Sequence, residues 1–213
     1  MAQRILALEM AGDQVRAAVA ERTWDTFKLL GTFEAERNSG EPDMSGAISR
    51  VVAEAGHPDI VISALPGELV ANRVLSLPFK EDRKLRQVVP FALEEHLPFP
   101  VDDAVATFTR IGQDSEGTIV LAAVVRKEDL RAHLELVGKA GLDPKRVTLA
   151  PLALACLLVR ARAESERNGH GTARLVIDID RNRTSLVLLD PSGAPRAMRT
   201  VVAGLEANGH ASL

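Results

Sequence analysis

Hydrophobic and polar positions at the start of the chain alternate as they do in β-strands. The apolar segment 4–10 is short and stops at Ala11-Gly12-Asp13, which predicts a buried strand that ends in a turn. Segments 14–21 and 26–36 continue the extended pattern. We therefore predict an N-terminal meander of three strands.

A similar strand–turn–strand pattern returns between residues 174 and 203. When the two regions are superimposed, Glu9 coincides with Asp178. Glu21 coincides with Asp190 in the same superposition. The repeat is one of pattern and not of identity, and it predicts a duplicated α/β architecture in which helices separate two similar sets of strands.

Helical and extended patterns alternate in the middle of the chain. The clearest helical pattern covers residues 81–97, and the apolar residues of its stripe are Leu85, Val88, Val89, Ala92, Leu93 and Leu97. Pro90 lies inside this pattern and predicts either a kink or the start of a second helix. A helix over 128–140 is predicted to turn Leu130, Leu134 and Val137 inward. The other predicted elements are a helix from Asp43 or Ser45 to Gly56, a helix from Pro151 toward Glu166, and strands 59–65, 69–77, 104–111, 118–126, 174–180, 184–190 and 194–203.

The composition limits the classes of function. The net charge of the 213 residues is −3, so no strong positive field favours nucleic acid. The single cysteine, Cys156, rules out an internal disulfide and fits a reducing compartment. The longest apolar run, 147–159, is shorter than the roughly 20 residues of a membrane-spanning helix. These features predict a soluble cytoplasmic protein that neither binds nucleic acid nor inserts directly into a membrane.

Chemically reactive residues form no recognisable catalytic or metal-binding pattern. The five histidines lack the spacing of metal ligands. Cys156 lies in an apolar segment with no evident base, and Ser63 and Ser76 lack the Gly-x-Ser-x-Gly motif of hydrolases. The sequence therefore predicts no catalytic residue and no metal site. It favours a protein that holds other proteins over an enzyme.

A series of short segments in the middle of the chain resembles one protein family. The segments are ALPGE at 64–68, RVLSLP at 73–78, KLRQVVPFALEE at 84–95, LPFPVDD at 97–103, LAAVVRK at 121–127 and AGL at 140–142. In this order they resemble the cytoplasmic part of GspL in type II secretion and PilM in type IV pilus assembly, within the actin-like ATPase superfamily. The likeness covers most of the chain, and its specificity lies in the ordered series.

This resemblance implies an α/β fold with an actin-like, ribonuclease H-like lobe and an FtsA-type inserted subdomain. It implies a first lobe over residues 1–78, an inserted subdomain over 79–141, and a linking helix with the start of a second lobe over 142–213. We expect the second lobe to be incomplete.

The implied function is that of a cytoplasmic scaffold, peripheral to the inner membrane, in the platform of a type II secretion or type IV pilus system. Such a scaffold links the assembly ATPase to the N-terminal tail of an inner-membrane platform protein. A PilM-like ATP-binding switch with weak or no ATPase activity is the alternative. A relative of the sugar kinases is a third interpretation, and it requires intact phosphate loops.

In the resembling superfamily two hairpin turns hold the nucleotide phosphates, and each turn needs small residues so that backbone N–H groups can approach the anion. At the first turn, Glu9 and Ala11 stand where a nucleotide-binding relative would have aspartate and glycine. At the second, Asp180 follows Asp178, although Thr184 is retained. A carboxylate about 4 Å from a phosphate charge costs about 4 kcal/mol at an effective dielectric constant of about 20. We predict a degenerate nucleotide site without a cofactor, where ATP and Mg²⁺ bind only if the site still functions.

Two aromatic residues and one strand are candidates for partner binding. Phe91 and Phe99 fall outside the apolar stripe of segment 81–97, and an exposed aromatic is a good anchor for a peptide. An extended tail that adds along strand 69–77 brings in Arg73. The alternative is that both phenylalanines only close the core of the subdomain.

Overall fold

The computed structural model describes residues 2–115, 117–163 and 172–205, and for 160–163 it describes the backbone only. The strands are β1 Gln3–Ala11, β2 Gln14–Arg22, β3 Phe27–Glu36, β4 Ile60–Leu65, β5 Val70–Leu77, β6 Ala104–Gln113, β7 Thr118–Arg126, β8 Pro144–Leu149, β9 Arg174–Ile179, β10 Thr184–Leu189 and β11 Pro195–Val201. The α-helices are α1 Ser45–Ala55, α2 Asp82–Glu94, α3 Lys127–Lys139 and α4 Ala150–Ala163. Single 3-10 turns cover Gly67–Leu69 and Val101–Asp103.

The chain forms two compact units. The first contains the described residues of Met1–Pro66 and Leu130–Ala150. The second contains the described residues of Gly67–Asp129 and Pro151–Leu213. Each unit therefore takes its residues from two separate parts of the chain.

A five-stranded sheet in the order β3-β2-β1-β4-β8 forms the first unit. Strands β1, β2 and β3 are antiparallel neighbours, whereas β4 and β8 run parallel to β1 and β4 respectively. Alternation along β1 buries Leu6 and Leu8 in the core, where they join Ile48 of α1 and Val137 of α3. Helix α1 ends at Ala55 and is followed by Gly56, whose φ of 76° suits a residue without a side chain.

The second unit contains two antiparallel three-stranded sheets, β5-β7-β6 and β11-β10-β9. Strand β7 is central in the first of these, and its inward residues Val120 and Val124 are buried. They pack with Leu85, Val89 and Leu93 of α2 in one hydrophobic cluster. The apolar stripe predicted for α2 thus forms the core of this part of the molecule.

Four details differ from the sequence predictions. Strand β5 pairs with β7 along its whole length, so the structure divides the chain at Pro66 and not at Pro78. The segment Leu130–Ala150 packs in the first unit, and therefore the predicted 79–141 segment is shared between the units. Strand β8 was not predicted. Helix α2 continues through Pro90 without the start of a second helix.

Helix α3 also differs from its predicted pattern. Its buried residues are His133 and Val137, whereas Leu134 is exposed. No helix among the described residues has both the length and the apolar character that crossing a membrane requires.

Candidate functional site

The first candidate phosphate turn joins β1 to β2 in the first unit. Glu9 is half-buried in β1, and Ala11 is the last residue of that strand. The turn itself consists of Gly12, at φ 59°, and Asp13, a geometry typical of a two-residue hairpin. The Asp13 carboxylate accepts a hydrogen bond from Nε of Arg37 at 2.9 Å. The glycine of this turn therefore follows Ala11, and the acidic residue at its tip is paired with Arg37.

The second candidate phosphate turn joins β9 to β10, and its polar groups bond to the chain itself. The backbone N–H of Asp180 donates to the carbonyl of Arg183 at 2.9 Å. The Thr184 hydroxyl donates to the carbonyl of Ala203 at 2.7 Å. A Cβ on Gly204 would lie only 2.2 Å from the carbonyl oxygen of Asp180. The segment after β11 therefore lies directly against this turn.

The carboxylates of the second turn also limit what it can bind. Asp178 is half-buried in β9, and Oδ1 of Asp180 accepts a hydrogen bond from the N–H of Arg181 at 2.8 Å. A phosphate cradle needs backbone N–H groups that point outward and have no other acceptor. The N–H groups of Asp180 and Arg181 already have acceptors within the turn. This turn is thus built as a closed hairpin whose N–H groups are already used within the chain.

Two of the predicted partner-binding residues lie on the surface of the second unit. Phe91 of α2 is 66% exposed, far more than a phenylalanine that closes a core. Arg73 of β5 is exposed, and its guanidinium donates to the carbonyl of Asn72 at 2.9 Å. Strand β5 is an edge strand of its three-stranded sheet. Phe91 is therefore available to a partner, whereas Arg73 lies on an edge strand.

The third predicted residue, Phe99, has a mixed environment. It is half-buried, and the guanidinium carbon of Arg126 lies 4.5 Å from the centre of its ring. This is the geometry of a cation–π interaction. Phe99 thus joins the segment after α2 to the end of β7, and it has a structural role in addition to any contact with a partner.

A buried polar pair in the first unit was not found from the sequence. Ser63 of β4 is 0% exposed and His133 of α3 is 5% exposed. Their Oγ and Nε2 atoms are 3.0 Å apart. Burial lowers the pKa of His133, since the charged imidazolium is poorly solvated there. Both residue types are common at the surface, and nothing in the local pattern indicates their contact.

Asp190, which the internal repeat aligned with Glu21, closes the turn between β10 and β11. Its carboxylate accepts hydrogen bonds from the Ser192 hydroxyl and from the N–H of Ala194, at 2.6 and 2.9 Å. Arg196 forms an ion pair with it at 2.7 Å. The hydrogen bond from Ser192 and these further contacts lower the pKa of Asp190 to about 2. Asp190 therefore has a local structural role.

Comparison with protein families gives one match, over residues 38–156, to the family described as type II secretion system protein L. These residues make up more than half of the chain. They extend from the loop before α1 into α4, and thus include the sheet β5-β7-β6 and α2. A comparison with curated protein sequences gives no match.

Solved structures confirm the predicted actin-like α/β fold. The chain is similar to the PilM–PilN type IV pilus biogenesis complex, with a TM-score of 0.81, 24% identity and 94% of this chain covered. It is also similar to the cytoplasmic domain of EpsL of Vibrio cholerae, an inner-membrane component of the type II secretion system, with a TM-score of 0.63, 16% identity and 93% covered. A Bacteroides thetaiotaomicron protein with an actin-like ATPase fold and unknown function matches with a TM-score of 0.53, 10% identity and 95% covered.

These relatives are longer than the chain. It spans 62% of the matched chain in the PilM–PilN structure and 71% of each of the other two.

Proposed function

Because the chain belongs to the family of protein L of the type II secretion system, we propose that it is a non-catalytic scaffold in the inner-membrane platform of a type II secretion or type IV pilus system. The family match over residues 38–156 carries this proposal. In this role the chain lies in the cytoplasm, peripheral to the inner membrane. It links the assembly ATPase to the N-terminal tail of an inner-membrane platform protein.

The proposed anchor for the membrane partner is Phe91, with Arg73 and Phe99 as further contact residues. Phe91 is exposed on a helix whose opposite side is fixed in a hydrophobic core. Little conformational entropy is therefore lost when a partner binds to it. An aromatic anchor of this kind contributes about 2 kcal/mol, roughly a thirtyfold change in affinity. Arg73 offers a positive charge on a strand edge to which an extended tail can add backbone hydrogen bonds.

The test is co-purification of the chain with the platform proteins and the assembly ATPase that its neighbouring genes encode. Phe91→Ala is expected to weaken binding of the membrane partner roughly thirtyfold and to leave the melting temperature unchanged. Trp24→Ala is the matched control, because Trp24 is an aromatic residue that is 95% exposed in the other unit. Absence of any platform protein from the purified complex would refute the scaffold role. Equal effects of the two substitutions would refute only the assignment of Phe91.

We also propose that the chain binds ATP weakly or not at all. The support is the acidic residue in each hairpin turn, Asp13 and Asp180, and the internal hydrogen bonds of the second turn. Isothermal titration with Mg-ATP is expected to give no saturable heat at micromolar concentrations. Micromolar binding that Asp178→Ala abolishes would favour the alternative of an ATP-binding switch.

A further inference from the structure

A groove of about 440 Å³ lies between α2 and β6 in the second unit. The residues that line it are Asp82, Arg86, Val89 and Pro90 of α2 and the consecutive residues 106–110 of β6. Side chains alternate between the two faces of a strand, so a surface lined by consecutive strand residues follows the edge of the strand and not one face. The groove therefore runs along the edge of β6.

This edge of β6 has no neighbouring strand among the described residues. The sheet order is β5-β7-β6, so that β7 occupies the other edge of β6. In an antiparallel pair, alternate residues direct their N–H and C=O groups away from the partner strand. An outer edge of this kind presents a row of backbone donors and acceptors to which another extended chain can bind.

The helix side of the groove supplies a positive charge. Nε of Arg110 donates a hydrogen bond to Oδ1 of Asp82 at 2.9 Å, and the guanidinium also donates to the carbonyl of Lys80 at 2.7 Å. Arg86 is exposed and has no ion-pair partner among the described residues. The groove therefore carries one uncompensated cation.

We propose that this groove binds an extended acidic segment of a partner protein, which adds to β6 as a further strand. A carboxylate of the segment pairs with Arg86, and a small apolar side chain two residues away packs on Pro90 and Phe108. The choice of an acidic occupant follows from charge complementarity, because the Asp82–Arg110 pair is internally neutral and leaves the charge of Arg86.

The groove is a second interaction surface, independent of the proposed function. Phe91 lies about 140° around the axis of α2 from Arg86, because successive helix residues are separated by about 100°. A partner held by Phe91 and a segment in the groove therefore contact different sides of α2. Loss of one contact is expected to leave the other intact.

The probe is the labelled peptide acetyl-Val-Thr-Glu-Thr-Val-Thr-amide, which places both valines and the glutamate on one side when it is extended. Its affinity for the whole chain is measured by fluorescence anisotropy. Arg86→Glu is expected to weaken binding at least tenfold. Lys84→Glu makes the same change of charge on the far side of α2, where it breaks only an exposed ion pair with Glu81, and is expected to alter binding less than about twofold.

Backbone pairing has its own test. Methylation of one alternate set of peptide nitrogens is expected to abolish binding. Methylation of the other set is expected to leave binding unchanged, because only one set faces β6. Amide hydrogen exchange at residues 106–110 is expected to slow when the peptide binds. The proposal is overturned if the peptide does not bind, if a lysine in place of its glutamate binds equally well, or if neither methylated set matters. It is also overturned if sedimentation equilibrium shows that the chain forms a dimer and that Arg86→Glu dissociates it, since a second copy would then occupy the β6 edge.

Discussion

Replacement of His133 by glutamine tests whether the buried pair with Ser63 makes the stability of the first unit depend on pH near neutrality. Burial lowers the pKa of His133, so the folded chain holds the ring neutral. In the unfolded chain the same ring titrates near its ordinary pKa of about 6.5. Acid therefore stabilises the unfolded chain more than the folded one.

The sign and size of the effect follow from proton linkage. Above about pH 6.5 the ring is neutral in both states, and its full contribution to stability is present. As the pH falls below this value, the unfolded chain takes up a proton that the folded chain does not. The free energy of unfolding then falls by up to about 1.4 kcal/mol per pH unit until the folded pKa is reached. Asp190 titrates well below this window, because its pKa is about 2.

Glutamine keeps a group that can hydrogen-bond to Ser63 but does not titrate, so His133→Gln separates the proton effect from the loss of packing. Urea unfolding followed by circular dichroism, with amide exchange in β4 and α3, measures the slope of the free energy of unfolding against pH from about pH 5 to about pH 7.5. The slope is expected to become smaller in His133→Gln. His57→Gln is the control, because His57 is exposed. An unchanged slope in His133→Gln would refute this account of the buried pair.

Three further predictions concern the second unit. Leu85→Ala removes a fully buried side chain from the α2–β7 core and is expected to lower the free energy of unfolding by about 2–5 kcal/mol in urea titrations, whereas Phe91→Ala on the same helix is expected to lower it by less than about 0.5 kcal/mol. Asp190→Asn is expected to reduce the fall in the free energy of unfolding as the pH drops from about 4 to about 2. Because the pKa of Asp190 is lowered, its contribution to stability is fully present above this window and lost below it. Gly204→Ala is expected to displace the turn at Asp180 and to speed amide exchange there, because its Cβ would meet backbone atoms at 2.2 Å; an exchange pattern like that of the parent would contradict this packing.

Most strands and helices could be predicted because their patterns are local. The alternation of apolar and polar residues in β1 and the apolar stripe of α2 indicate which side of each element is buried, whichever element packs against it. Strand β8 was missed because Pro144, Lys145 and Arg146 give it a polar start, and its pairing with β4 is long-range. Proline is tolerated there because it is the first residue of the strand. Strand β5 was predicted within the first lobe, because its sequence does not specify that β7 is its neighbour.

The candidate sites show the same limit. Exposure of Phe91 could be predicted from its helical position alone. The position of Phe99 could not, because its contact comes from Arg126 in another element. In α3 the apolar stripe suggested a buried Leu134, but His133 takes the buried position because Ser63 supplies its hydrogen bond. The groove beside β6 depends on which strand forms the edge of the sheet, and no local pattern contains that information.

Helix α2 connects the stability of the second unit to both proposed interactions. Its inner side is fixed by Leu85 in the hydrophobic core, Phe91 is exposed, and Arg86 lines the groove. A helix held by its core positions presents the other two sides without further ordering, and less conformational entropy is lost when a partner binds. Core substitutions in α2 should therefore weaken both interactions together, whereas Phe91→Ala and Arg86→Glu should each weaken one. This difference distinguishes a rigid scaffold with two separate surfaces from a single continuous binding face.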